Sequence, residues 1–227
     1  MIAELRAAEA RARALFDAAV AGGLIAPGRS EKQISDDIAQ LAARDFGVQR
    51  FWHKRIVRAG RHTLLPYAEN PPDLIVQPDD LVFLDFGPLF EEWEADLGRT
   101  LVVGDDPRKH RLVADTAAVW DEAAAFFRAR PAITASELYG HLGTLAAARG
   151  WALGHVHCGH LVGRFPHERD EGDDDAKYLR ADNPLPLRRP GVTGAPLRWI
   201  LEAHLVDAAA GYGAFQESVL LETDELT

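Results

Sequence analysis

The chain of 227 residues carries a single cysteine, Cys158. One thiol excludes an internal disulfide framework and every zinc module built on several cysteines. No run approaches the roughly 20 consecutive apolar residues needed to cross a bilayer. The opening stretch MIAELRAAEARARALFDAAV is charged throughout and lacks the apolar core of a signal peptide. Excess positive charge is also missing. Asp and Glu number 35 against 25 Lys and Arg, a formal net charge of −10, and without a basic stripe a chain is a poor nucleic-acid binder. These absences lead us to expect a cytoplasmic protein with no nucleic-acid and no membrane partner, kept in solution by its acidity.

What is present is an ordinary globular composition, 47% apolar and 26% charged. Residues 2–21 read as a helix ended by Gly22-Gly23. A second helix follows, with Ser30 as N-cap and Gly47 as stop. FWHKRIV (51–57) reads as a strand, as do DLVFLDFG (80–87) and EADLGRTLVVG (94–104). Helices are expected at about 107–128 and 134–149, the second opened by a Thr134 to Glu137 capping box. LRWILEAHLV and GAFQESVLLE read as a final strand pair. Each half of the chain therefore places two helices before its last strand pair. DEGDDD (170–175) reads as a solvated loop, because its ligand spacing is wrong for an EF-hand.

Chemistry enters with four acids set in apolar strands. Asp85 interrupts LVFLDF, and a buried carboxylate is costly without a partner. If GPLFEEWE turns the chain, Asp96 can sit opposite Asp85 in an antiparallel ladder and share its face. Glu202 and Glu217 repeat the arrangement around the turn DAAAGYG. Any one of these acids taken alone reads as an edge residue facing solvent. Two pairs at hairpin separations make that reading less attractive, and periodicity alone leaves it level with the other, an inward set of charge −4 that two divalent ions would neutralise. The stretch GHVHCGHLVGRFPHE holds four of the nine histidines and the lone cysteine, and one imidazole from it would complete five protein ligands.

Asp85 in LDFG, Asp96 in ADLGRT, CGHLVGRFPHE, Glu202 in ILEAH and Glu217 in FQESVLL together resemble the pita-bread metallopeptidase family, which includes methionine aminopeptidase, aminopeptidase P and prolidase. The resemblance covers about residues 1–223. It implies an α+β fold with a pseudo-twofold, curved antiparallel sheet flanked by helices, and a single catalytic domain, 1–227, with no separate N-terminal domain. It implies two divalent metal ions (Mn, Co, Fe or Zn). Asp85 would chelate one, Asp96 and Glu217 would bridge both, and His160 and Glu202 would bind the other. Glu202 would also carry a proton, and His167 would contact the substrate carbonyl. The implied reaction is hydrolysis by a metal-bridging hydroxide, as an aminopeptidase or Xaa-Pro peptidase acting on short peptides. The resemblance leaves room for a homodimer.

The chain departs from the family pattern in places. Tyr67, in LLPYAENPPD, stands where family peptidases usually carry a substrate-handling histidine; His53 or His62 would have to approach from nearby, and His53 reads more simply as a strand-surface or packing histidine. Ala203 replaces the usual Pro after the metal Glu. Leu161-Val162 replaces Gly-Ile beside the metal histidine and is expected to narrow the pocket. His155 and His157 read as surface or satisfied core histidines, Cys158 as site wall, Trp93 and Phe90 as packing aromatics; His204 shares a strand face with Glu202. Tyr67 motivates a second reading, a metal enzyme of the same fold acting on a small non-peptide substrate. A non-enzymatic binding module is a third, weakened by the retained ligand set.

Overall fold

A computed structural model describes residues 2–167 and 175–225; most of the acidic loop expected at 170–175 lies outside the described residues. Helix α1 (Ile2–Ala21) buries Leu5, Ala8, Ala12, Leu15, Phe16 and Ala19, the 3- and 4-residue spacing of one helix face. Helix α2 (Glu31–Phe46) starts at the expected Ser30 capping box and ends at Gly47 in the left-handed conformation. There follow β1 (Ile56–Ala59), β2 (Leu81–Phe86), the short pair β3 (Leu89–Phe90) and β4 (Trp93–Glu94), and β5 (Leu97–Val102). The second half comprises α3 (Pro107–Arg128), α4 (Ala135–Ala148), β6 (Ala152–Leu153), β7 (His157–His160), β8 (Tyr178–Arg180), β9 (Ile200–Asp207) and β10 (Tyr212–Val219). Thr134 caps α4 through the expected box with Glu137. Among the described residues no helix is long and apolar enough to cross a membrane.

Six strands form one antiparallel sheet in the order β1-β2-β5-β10-β9-β6. Exchanging the halves maps α1-α2-β1-β2-β5 onto α3-α4-β6-β9-β10 and leaves the strand order unchanged, so the sheet has the expected pseudo-twofold between β5 and β10. Each half packs its helices on its own strands. Phe16, Ile34 and Ile38 meet Leu84 and Phe86 in one core; Leu112, Val119 and Leu138 meet Leu201 and Leu205 in the other. Strand residues alternate between faces. With Leu84, Phe86, Leu201 and Leu205 turned to the helices, Asp85, Glu202 and His204 face the other way.

Two local expectations are corrected. Residues 51–55 are not a regular strand. Successive strand side chains point to opposite faces, yet the Trp52 and His53 rings lie 4.4 Å apart, while the Trp52 indole donates to the Ala95 carbonyl at 2.9 Å. Asp85 and Asp96 are not directly opposed either. Asp85 pairs with Gly98, and Asp96 lies two residues before Gly98, in the diagonal position on the same face.

Candidate metal centre

One cross-strand rank builds the site. Asp85 on β2 pairs with Gly98 on β5, Gly98 with Glu217 on β10, and Glu217 with Glu202 on β9. The half-exchange that maps β2 onto β9 thus maps Asp85 onto Glu202. Gly98 is the one position in the rank without a side chain, and a Cβ there would stand 2.3 Å from Phe215 Cε1 and 2.7 Å from the Glu217 Cβ. Its bareness leaves the middle of the rank free for Asp96 to reach in diagonally.

His160 arrives from β7 across this face. Its Nδ1 donates to the Leu161 carbonyl at 2.7 Å. Its Nε2 lies 3.2 Å from Asp96 Oδ2, 3.7 Å from Glu202 Oε1 and 3.8 Å from Glu217 Oε1. The structure therefore brings together all five residues expected as ligands, three from strands of one sheet, Asp96 from the residue just before β5, and His160 from a strand laid over them. His53 joins them, with Nε2 at 3.1 Å from Asp96 Oδ1 and 3.6 Å from Asp85 Oδ1; this corrects its reading as a surface or packing residue. Among the described residues, two groups could each hold a metal ion, His53–Asp85–Asp96 and Asp96–His160–Glu217, with the possible ligand atoms of each within 4.8 Å of one another.

The electrostatics are those of a buried acid cluster short of cations. Burial raises Asp85 to about 7, opposed by His53 and reinforced by Asp96 and Glu202. Burial also drives Glu217 well above the carboxylate range, with Asp96 and Asp85 adding to it. Asp96 is held down at about 2, because His53 and His160 on either side outweigh its burial. Burial works against protonation of both imidazoles, yet the acids win: His53 rises to about 9 and His160 also rises well above its ordinary value. Glu217 Oε2 is buried and has no hydrogen-bond partner among the described residues. An orphaned buried oxygen, clustered carboxylates and two imidazole nitrogens aimed at the same carboxylate are a donor set that fits divalent cations.

The surrounding residues divide clearly. His167 is buried beyond His160, the two rings 6.3 Å apart and nearly parallel. Its Nδ1 donates to Glu94 Oε2 at 2.5 Å, and its backbone N–H to Glu94 Oε1 at 3.2 Å. Glu94 also accepts from the Gly163 N–H at 3.0 Å. Sequence reading missed Glu94 and Trp52; the signals were an acid inside the short WEAD stretch and an aromatic next to His53. Trp52 stands edge-on to His53, His160 and His167.

His155 and His157 were expected at the surface or in satisfied packing. Instead their Nδ1 atoms both lie 3.6 Å from Glu202, without hydrogen-bond partners among the described residues. With His160 they hold Glu202 below its ordinary value against the upward push of burial. His204, on the same face, donates Nε2–H to the Thr63 carbonyl at 2.8 Å. His62 is away from the centre, bound to Glu31 at 3.0 Å. Cys158 is buried wall, its thiol pushed well up by burial. Tyr67 is half exposed; its hydroxyl accepts from the Lys54 N–H at 3.2 Å, and it lines with Asp85, Ile56, Phe83, Phe215 and Arg58 a small cavity. Phe90 packs in the first core and Trp93 against it.

Comparison with known proteins agrees with this geometry. Residues 3–192 match the model of metallopeptidase family M24. The chain is 30% identical over 142 residues to an Xaa-Pro dipeptidase of Lactobacillus delbrueckii subsp. lactis, covering 62% of this chain and 38% of that protein. It is 28% identical over 145 residues to an Xaa-Pro dipeptidase of Pyrococcus horikoshii, covering 63% and 40%. The chain thus spans about two fifths of the length of these relatives. Among solved structures, the prolidase of Pyrococcus furiosus superposes with a TM-score of 0.72 at 20% identity, over 97% of this chain and 61% of that one. The methionine aminopeptidase of Thermotoga maritima superposes with a TM-score of 0.69 at 19% identity, over 98% and 93%. The fold is the pita-bread fold, and the chain belongs to metallopeptidase family M24.

Proposed function

We propose that this chain is a dinuclear metal-dependent peptidase that hydrolyses short peptides, of the Xaa-Pro dipeptidase or aminopeptidase kind, with residues 1–227 acting as one catalytic unit in the cytoplasm. The observation that carries the reading is the convergence of Asp85, Asp96, His160, Glu202 and Glu217 on one face of the sheet, with Glu217 Oε2 buried and unpartnered among the described residues. Asp96 and Glu217 would bridge two ions, Asp85 would hold one, and His160 and Glu202 the other. When bound, the ions supply Lewis-acid polarisation of the scissile carbonyl and a water of lowered pKa.

The chain's own groups supply the rest. Glu202, whose carboxyl is held below its ordinary value among His155, His157 and His160, would take up and return a proton. His167 has its Nδ1 committed to Glu94, which leaves Nε2 for the substrate carbonyl oxygen, where negative charge develops. Trp52, wedged among three imidazoles, keeps bulk water from that edge. Tyr67, at the rim of the cavity that reaches Asp85, is a substrate contact.

The test is hydrolysis of a panel of Xaa-Pro dipeptides and longer peptides, after chelation and reloading with Mn, Co, Fe or Zn. Activity that disappears with the metal and returns on reloading is expected, and Asp96→Ala should lose metal and activity together. A protein that takes up no metal and cleaves no peptide would overturn the proposal. Tyr67 in place of the family's histidine favours a second reading, a small non-peptide substrate; full metal loading without cleavage of any peptide would select it.

A further inference from the structure

His53 and His160 share one wiring. Each donates Nδ1–H to the carbonyl of the next residue, His53 to Lys54 and His160 to Leu161, both at 2.7 Å. A carbonyl only accepts, so Nδ1 carries a hydrogen in both rings and Nε2 is the nitrogen each ring turns to the acids. This is the outer-partner pattern that orients a metal-binding imidazole. The two Nε2 atoms approach opposite oxygens of the same carboxylate, His53 at 3.1 Å from Asp96 Oδ1 and His160 at 3.2 Å from Asp96 Oδ2. An Nε2 lone pair facing a carboxylate oxygen at that distance calls for a positive charge there, the ring's own second proton in the metal-free protein or a metal ion in its place.

The seat of His53 is built into the backbone. A Cβ on Gly87 would stand 2.2 Å from His53 Cδ2 and 2.4 Å from both His53 Nε2 and Trp52 Nε1. Only a glycine after Phe86 lets the imidazole lie across the chain and reach Asp85 and Asp96. Trp52, held by the Ala95 carbonyl, closes the other side of the ring at 4.4 Å. The side chain of His53 is 9% exposed, so the position is fixed by packing.

We propose that His53 is a sixth protein ligand, so that each ion of the centre has its own imidazole: His53 with Asp85 at one ion, His160 with Glu217 and Glu202 at the other, and Asp96 between them. A set of two nitrogens and four carboxylates shifts preference from the harder Mn toward Zn, Co or Fe, which imidazole suits better. The inference rests on the dinuclear reading above.

The test is metal binding, read separately from activity. Chelated protein is titrated with Zn or Co by calorimetry, and bound metal is counted by elemental analysis. Wild type should take up two ions. His53→Ala and His53→Phe should keep one ion with little change and lose about 100-fold or more in affinity for the other, beyond the 10- to 100-fold typical of losing an outer partner. X-ray absorption of unmodified cobalt-loaded protein covers the case of a variant that does not fold. One imidazole per ion is expected, whereas His160 alone would give one per two ions. Two ions bound as tightly in both variants as in wild type, or the halved imidazole count, would overturn the sixth ligand and leave the dinuclear reading standing. A wild type that binds no ion would end both.

Discussion

Glu94 offers the sharpest perturbation outside the ligand set. Its carboxylate is 1% exposed and accepts from three N–H groups: Gly163 N at 3.0 Å, His167 N at 3.2 Å and His167 Nδ1 at 2.5 Å. It therefore ties β4 to the segment that carries His167. A buried donor left without an acceptor costs about 1–3 kcal/mol, and three of them set an upper limit that entering water will reduce. Removing one partner of a buried pair typically costs about 3–5 kcal/mol, so Glu94→Ala should lose about that much. Glu94→Gln keeps the volume and one oxygen acceptor and should lose about 2 kcal/mol on the same scale. Urea unfolding of the metal-free protein, followed by tryptophan fluorescence, reads both. With His167 released, kcat/KM on a cleaved peptide should fall about 100-fold in Glu94→Gln, the usual penalty for a catalytic group misplaced by about 1 Å, while two ions remain bound. A Glu94→Gln protein within about 0.5 kcal/mol of wild type, or with full activity, would refute the positioning argument; that threshold is the spread of surface substitutions.

Three further perturbations test the frame around the site. Gly98→Ala places a methyl 2.3 Å from the Phe215 ring and 2.7 Å from the Glu217 Cβ; it should cost about 1–3 kcal/mol by overpacking and weaken metal uptake, and unchanged unfolding and binding curves would contradict the rank geometry. Chelation should lower the unfolding temperature, and reloading at about 1,000 times Kd should restore about 4 kcal/mol, measured by calorimetric scans; a chelator-indifferent melting curve counts against a folded-state metal site. Thr134→Ala removes the α4 capping box and should cost about 1 kcal/mol with peptide hydrolysis unchanged, which separates stability from site effects.

The helices were legible because local chemistry writes their ends: Ser30, Gly47 and Thr134 stop and start them as capping rules require. The acids were legible because a carboxylate in a doubly buried strand contradicts its surroundings. The diagonal placement of Asp96 was not, since register depends on where the GPLFEEWE segment bends, and that segment makes its own short pair, β3 with β4. His53 was misread because its role depends on a glycine 34 positions later, at 87, that gives its ring room. The same holds for Glu94 and His167, which meet across 73 residues, and for His155 and His157, whose neighbour Glu202 comes from another strand. Local pattern carries helix caps and strand periodicity, while the shell around a metal centre is assembled by tertiary contacts.

The central claim, two ions held along the rank Asp85–Gly98–Glu217–Glu202, is tested most directly by anomalous diffraction at the zinc or cobalt edge from crystals of reloaded protein. Two peaks about 3.5–4 Å apart are predicted, both against Asp96, one beside Asp85 and His53 and the other beside His160 and Glu217. A fully reloaded crystal with no peak on this face of the sheet, or with its only peak elsewhere, would contradict the account.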